Sequence, residues 1–411
     1  MKTFFVIVFF VSITTAAAGQ KNKLDFYINQ AVSGSPLLKD YLNQAQANYY
    51  DSLLIMAAYR PQVTGSSFNS YAPTFKGWGY DGAITNGGNF NALVGVNKLL
   101  VNKKSLAAQL QDIQLQNETL NSSGKITEQE LKRTIIAQYI TAYGDLQQLN
   151  FNKEINTLLT KQEIILKKLT QSNVFKQVDY LVFLVTLQQQ ALVIKQQGMQ
   201  YKNDYALLNY LSGITDTATV DLLDPEIKTA ILPPLSNSIF LEPFKIDSLK
   251  LLNKKALLEI SYRPRISLFA DAGFNSSLAY KPYKNFGTSL GISASIPLYD
   301  GKQKKLQISK IKIAEQNRNN YKEFLSKQYA QQIAQLYQQL KASDELIAII
   351  NSQLKYAQSL IDVNGKLLNA GEVRIADYIL ALNNYINAKN LITQNNINRM
   401  QVINQINYWN R

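Results

Sequence analysis

The chain has 411 residues, 43 of them lysine or arginine and 29 aspartate or glutamate, for a net charge of +14, and it contains no cysteine and no histidine. Without cysteine there are no disulfides, thiolate metal sites, cysteine nucleophile or lipid-anchored cysteine, and without histidine the usual zinc ligand and the commonest general base are missing too. The lysines are dispersed among Asn and Gln along predicted helices, so the charge reads as a solvated helical surface and not as a nucleic-acid stripe.

Residues 1–18 have the layout of a signal peptide, with Lys2, an apolar run from Phe4 to Ile13 and Ala16-Ala17-Ala18, which places cleavage near Ala18. Beyond it no window approaches the roughly 20 apolar residues of a membrane-spanning helix, so any crossing falls to strands closed into a barrel.

The spacing then predicts helix over 24–59, with a start signal at Ser35-Pro36 and a stop where Pro61 forces Arg60 out of helical space. A weak strand over 62–72 follows, then a loop rich in Gly, Asn and aromatics, then a second strand from Phe90 to Asn97. A long helix runs from Lys103 to Leu169, with an interruption expected at Asn121-Ser122-Ser123-Gly124. After a turn near Ser172-Asn173 comes a helix from Val178 to Ser212 that Gly213 ends. Residues 221–245 read as a linker, marked by Asp224-Pro225 and Pro233-Pro234, and a short helix from Ile246 to Ser261 precedes a third strand, Arg265–Phe274.

The fourth strand is the clearest. Phe286, Thr288, Leu290, Ile292, Ala294, Ile296 and Leu298 fall on one face, and Gly287, Ser289, Gly291, Ser293 and Ser295 on the other. An apolar face suits lipid and a small polar face suits a watery lumen, so Leu290, Ile292, Ala294 and Ile296 are expected to meet lipid. Pro297 and Asp300-Gly301 stop the strand, and a helix from Leu306 to Leu368 follows, roughly 95 Å long at about 1.5 Å per residue. Ile333, Leu336, Leu340, Ser343, Ile347, Ile350, Leu354, Ala357 and Ile361 step along it by threes and fours as a heptad seam.

The two halves repeat. Tyr59-Arg60-Pro61 returns as Tyr262-Arg263-Pro264, Phe90-x4-Gly95 as Phe286-x4-Gly291, and Asp179-Tyr180 as Asp377-Tyr378. Residues 19–220 and 246–411 are thus expected to be two tandem repeats, each helix, strand, strand, long helix, helix: a fold mostly α with a small β part.

With its Tyr-Arg-Pro pair, with Ile296-Pro297-Leu298-Tyr299-Asp300-Gly301, and with the run from Ala370 to Ala381 at the second turn, the chain resembles the TolC-like outer-membrane efflux factor family over essentially its whole mature length. The resemblance implies a homotrimer that pools four strands per subunit into a 12-stranded barrel, with the long helices forming a periplasmic tube. It implies the outer membrane of a Gram-negative bacterium, and a passive exit duct for efflux or type I secretion, fed by a periplasmic adaptor and an inner-membrane transporter. Two features depart from the family: the helix before Tyr262-Arg263-Pro264 is short, and Asn173 stands where glycine is usual, although Asn tolerates the left-handed conformation. A periplasmic coiled-coil structural or adaptor protein is the alternative, in which the strands form a small soluble domain.

No catalytic constellation, cofactor motif or metal-ligand spacing is visible, and Asp81-Gly82 and Asp300-Gly301 are turn signals without calcium-loop spacing. The chain reads as a non-enzyme. Trp78, Tyr80, Tyr280, Tyr283 and Phe286 form either an interfacial girdle or ordinary loop packing. At the turns, Asn173, Val174, Phe175, Gly371, Val373 and Ile375 are the candidate adaptor-docking residues. Asp377, Arg374, Asp179 and Lys176 are the candidate periplasmic gate, where opposite charges on neighbouring hairpins would close the entrance; the alternative for Asp377 and Asp179 is helix capping.

Overall fold

The computed structural model describes residues 23–81, 88–100, 103–216, 218–231, 234–277 and 281–410; the expected signal peptide, Gly82, Pro233 and Tyr280 lie outside them. In chain order the elements are α1 (Leu24–Gly34), α2 (Pro36–Ala58), β1 (Gln62–Tyr71), β2 (Gly88–Leu100), α3 (Lys103–Gln171), α4 (Gln177–Ser212), α5 (Glu242–Ser261), β3 (Arg265–Ser276), β4 (Phe286–Ser295), α6 (Gln303–Ala370) and α7 (Ile375–Tyr408). The chain is mostly α-helix with one four-stranded antiparallel sheet, as the periodicities predict.

Local chemistry sets most of the boundaries. Pro36, which lacks an N–H, opens α2 and breaks the first predicted helix at Ser35. Gly213 takes φ 70° at the end of α4, and Ile214 N–H reaches back to Asn209 O at 2.8 Å. The expected interruption at Asn121–Gly124 does not occur: α3 is continuous for 69 residues. Ser122 is buried, and a Cβ on Gly124 would lie 3.8 Å from the Tyr41 ring, so the small residues serve a close approach of α2 instead of a break.

The described residues form two compact units, 23–36 with 127–234 and 329–410, and 37–126 with 235–328. Each draws residues from both halves of the sequence. The first unit has two apolar cores. One gathers Tyr27, Ile135, Tyr139, Leu146, Tyr205 and Leu208 from α1, α3 and α4; there Tyr27 OH donates to Tyr205 OH at 3.1 Å and Tyr139 OH to Leu223 O at 2.8 Å. The other gathers Leu159, Leu166, Phe183, Ile361, Leu368, Tyr378 and Leu382 from α3, α4, α6 and α7. The α6 seam is as predicted: Leu336, Ile350, Ala357 and Ile361 are buried, and the remaining seam positions are half-buried between exposed neighbours.

One reading of the sequence is corrected. Helix α4 is long and apolar enough to cross a membrane by length and composition alone. It also carries Gln188, Gln189, Gln190, Gln196 and Gln197 and buries Phe183, Tyr201, Tyr205 and Leu208 in the first unit, while most of its apolar stretch is exposed in the single chain.

In the second unit the sheet runs β1-β2-β3-β4, with β1 and β4 at its edges. Ala270 pairs with both Val96 and Leu290, and Leu268 with Lys98 and Ile292, so the register carries one face across the strands. Gly291 lies under the Phe269 ring, where a Cβ would come within 2.5 Å of it. Between β1 and β2, Phe75 and Trp78 exchange two backbone hydrogen bonds of 2.9 Å around Lys76 and Gly77, both left-handed, as a type I′ turn requires.

Candidate functional site

Two places in the structure gather the residues that the sequence singles out: the faces of the sheet and the paired helix turns. Because opposed residues share a face, the pairings put Val63, Ala92, Val94, Val96, Ile266, Leu268, Ala270, Ala272, Leu290, Ile292 and Ala294 on one side. The other side carries Thr64, Ser66, Asn91, Ser267, Asp271, Ser289 and Ser293, with Ser289 Oγ donating to Asp271 Oδ2 at 2.6 Å. The separation legible in β4 is carried across the strands in part: β1 is thinnest, with Gly65, Ser67 and Asn69 on the apolar side, Lys98 lies on that side opposite Leu268, and Phe68, Leu93, Leu99 and Phe269 lie on the polar side. That side is open, with Leu290 87% and Ile292 71% exposed. Ile296, expected within the strand, lies one residue past its end at Ser295, because Pro297 cannot continue the ladder. Trp78, Tyr80, Tyr283 and Phe286 are all exposed.

The two turns match bond for bond at a spacing of 198 residues. In the first, Val174 N–H donates to Leu169 O and Asn173 N–H to Thr170 O; in the second, Glu372 N–H donates to Leu367 O and Gly371 N–H to Leu368 O, all at 2.9–3.0 Å. Asn173 (φ 58°) and Gly371 (φ 78°) hold the left-handed position in each, so the asparagine does the glycine's work. Both turns lie in the first unit, and Val174 packs on Gly371, where a Cβ would stand 2.7 Å from Val174 Cγ1. Gly371→Ala is expected to lower stability by about 1–2 kcal/mol through left-handed strain, while Asn173→Gly changes it by under about 1 kcal/mol. Urea unfolding of the two variants tests this, and equal effects would contradict it.

The docking candidates separate by exposure. Asn173 and Val174 are exposed, Phe175, Val373 and Gly371 half-buried, and Ile375 only 1% exposed. Ile375 belongs to the core with Leu368 and Tyr378 and supports the turn from inside, so it offers no docking surface.

The gate candidates separate as well. Arg374 Nε and Nη2 donate to Asp377 Oδ2 and Oδ1 at 2.9 and 2.8 Å, a two-pronged pair within one turn. This bond, with a further one from the Arg374 backbone N–H, holds the Asp377 carboxyl below the usual carboxylate range; the same pair raises Arg374, to which the charge of Asp179 adds. The residue at the cap position is Arg374, as it is Lys176 in the first half, and neither makes a side-chain cap bond. Asp377 instead occupies the third helical position and reaches back, as the acidic half of a capping box does. Capping and charge display thus coincide in one residue.

The sequence reading missed an exposed stripe on α4, formed by Val178, Val182, Val185, Leu192 and Met199, and a second seam on α6, formed by Leu346, Ile349, Tyr356, Leu360 and Val363. The α6 seam steps by three, four and seven, a period that was available in the sequence. It missed also the carboxyl pair of Asp145 on α3 and Asp204 on α4.

This fold, with its long helices joined by left-handed turns and its four-stranded sheet, is similar to that of solved outer-membrane channels. The chain superposes on CusC, described for its transmembrane channel formation, with a TM-score of 0.75 over 94% of this chain and 92% of that one at 14% identity. It is similar to the Campylobacter jejuni CmeC outer membrane channel (TM-score 0.71, 13% identity, 94% of this chain and 86% of that one). A third likeness is to the open state of the Neisseria gonorrhoeae MtrE outer membrane channel (TM-score 0.73, 11% identity, 94% and 88%). No protein-family model and no curated protein matches the sequence. At these identities the likeness is one of fold, and it agrees with the TolC-like resemblance in the motifs.

Proposed function

We propose that the chain is one subunit of a homotrimeric, TolC-like channel in the outer membrane of a Gram-negative bacterium. It would serve as a passive exit duct coupled through a periplasmic adaptor to an inner-membrane transporter. The observation that carries this reading is the sheet, with an apolar face exposed on its strands and unpaired edges at β1 and β4. Four strands cannot close a barrel, and open edges are not tolerated in lipid. Three copies placed edge to edge would give twelve strands, with the apolar side toward lipid and the Ser, Asn and Asp side toward water. Trp78, Tyr80, Tyr283 and Phe286 then suit an interfacial girdle.

The exposed stripe on α4 and the second seam on α6 support a ring. They are different surfaces of one chain, so contact between them is head to tail and closes by rotation. Val185→Glu and Tyr356→Glu are each expected to lose the heat-modifiable trimer on gels while the monomer keeps its helical circular dichroism; trimers as stable as wild type would contradict the ring. The primary experiment is fractionation. Recovery as a heat-modifiable trimer in the outer membrane supports the channel, and release by osmotic shock overturns it in favour of a periplasmic coiled-coil protein.

The turns are the proposed periplasmic end, with Asn173, Val174, Phe175, Gly371 and Val373 as the adaptor's docking surface. A twelve-stranded pore open at rest would make the outer membrane leaky, so in this reading the periplasmic end is shut until a partner dilates it. Arg374, Asp377, Asp179 and Lys176 supply reversible polar links for that purpose, since exposed ion pairs break readily. Because Arg374 holds Asp377 within its own turn, Arg374→Glu frees the acidic side chain and adds a like charge. Single-channel conductance in planar bilayers is expected to rise in that variant, and Asp377→Asn is expected to reduce cation preference. Wild-type conductance in both would remove the gate from these residues.

A further inference from the structure

Where β4 gives way to α6 the second unit holds a groove of about 460 Å³ with two unlike walls. One is the segment Pro297-Leu298-Tyr299, whose Leu298 is 93% and Tyr299 86% exposed. The other is basic: Lys305 and Lys312 are seven residues apart on one face of α6, with Lys302 just before the helix. The acid lining the groove is Asp300, and it is already engaged. Its Oδ1 accepts from Lys302 N–H at 2.9 Å and its Oδ2 from Lys304 N–H at 2.8 Å, the Tyr262 hydroxyl bonds it as well, and these contacts hold its carboxyl below the usual range. Lys304 Nζ is set over the Tyr262 ring at 5.2 Å. Among the described residues Lys302, Lys305 and Lys312 form no ion pair, so three exposed lysines without a carboxylate partner line the groove.

We propose that this groove binds the phosphate headgroup of an anionic phospholipid, with the acyl chains leaving over Leu298 and Ile296 along the apolar side of β4. The argument rests on the membrane reading above and adds a ligand to it. Lysines on a bare surface would serve a free phosphate as well as a lipid. Here, however, the basic wall adjoins Leu298 and Tyr299, exposed just past the end of the strand that carries Leu290, Ile292 and Ala294, and a free anion would leave these apolar side chains in water. Each subunit would then carry its own anionic lipid at the boundary between strands and helices.

Native mass spectrometry of the detergent-solubilised trimer tests this, with phosphatidylglycerol, phosphatidylcholine and glycerol 3-phosphate as separate probes. Wild type is expected to retain phosphatidylglycerol, and the variant Lys302→Gln, Lys305→Gln, Lys312→Gln to bind it on the order of 100-fold more weakly. These exposed lysines are not part of a core, so the variant should fold, and Leu298→Ser offers a second, uncharged weakening. Equal retention of phosphatidylcholine, or unchanged binding in the triple variant, overturns the proposal. Displacement by equimolar glycerol 3-phosphate overturns the lipid in favour of free phosphate. A chain released by osmotic shock overturns the membrane reading and this inference together, whereas a membrane trimer without lipid preference overturns this inference alone.

Discussion

Ile292→Arg is expected to abolish recovery of the trimer from the outer membrane. At about 3.3 Å per residue the ten residues of β4 extend about 33 Å, and a tilt of roughly 40° reduces that to about 25 Å, the height of a barrel's apolar band. Ile292 lies close to the middle of the strand, opposite Leu268 and between Leu290 and Ala294. A guanidinium there would sit in hydrocarbon at a cost of about 2–4 kcal/mol per subunit, paid three times in a trimer. Ser293→Arg, one residue away on the polar side, is expected to be tolerated. Heat-modifiable trimers in outer-membrane fractions are the readout. Equal recovery of both variants would remove the lipid-facing assignment, and loss of Ser293→Arg alone would reverse the faces.

What the sequence showed of this was governed by how local each cause is. The α6 seam from Ile333 to Ile361 was legible because a helix that buries one stripe against neighbours repeats it at every turn of its own sequence. The face of β4 was legible for the same reason at period two, and its neighbours inherited it through the register. The interruption at Asn121–Gly124 was misread because Ser and Gly weaken a helix by local preference, whereas burial of Ser122 and the approach of Tyr41 are tertiary. Ile375 was misread as surface because a short turn resembles a loop in sequence, while this one has a core beneath it. The α4 stripe escaped notice because that helix is apolar on two sides, one bearing the buried Phe183 and Tyr205 and one open to solvent, which blurs the period.

Asp145→Asn is expected to flatten the dependence of stability on pH. Asp145 on α3 faces Asp204 on α4, whose Oδ1 accepts from Gln138 Nε2 at 3.1 Å and whose Oδ2 accepts from Gln200. The oxygens of Asp204 are thus committed as acceptors, and Asp145 supplies the proton of the bond they share, its own Oδ2 buried without a partner. Burial first, then that bond and the charge of Asp204, push the Asp145 carboxyl up to about 7. For an acid raised in the folded state the unfolded chain gives up its proton near the ordinary value of 3.8, and the folded chain near 7. Between those values the folded state binds the extra proton, so stability falls as pH rises through the window and stays lowered above it. About 1.4 kcal/mol per unit, discounted for a half-buried site, leaves on the order of 2 kcal/mol. Asn carries no titrating proton and can still donate to Asp204, so the variant should match wild type near pH 4 and exceed it by about that amount at pH 8. Thermal unfolding followed by circular dichroism at pH 4, 6 and 8 decides the matter. A wild-type slope in Asp145→Asn would mean that the two carboxyl groups do not share a proton, and that the polar link from α3 to α4 there is the one Gln138 makes to Asp204.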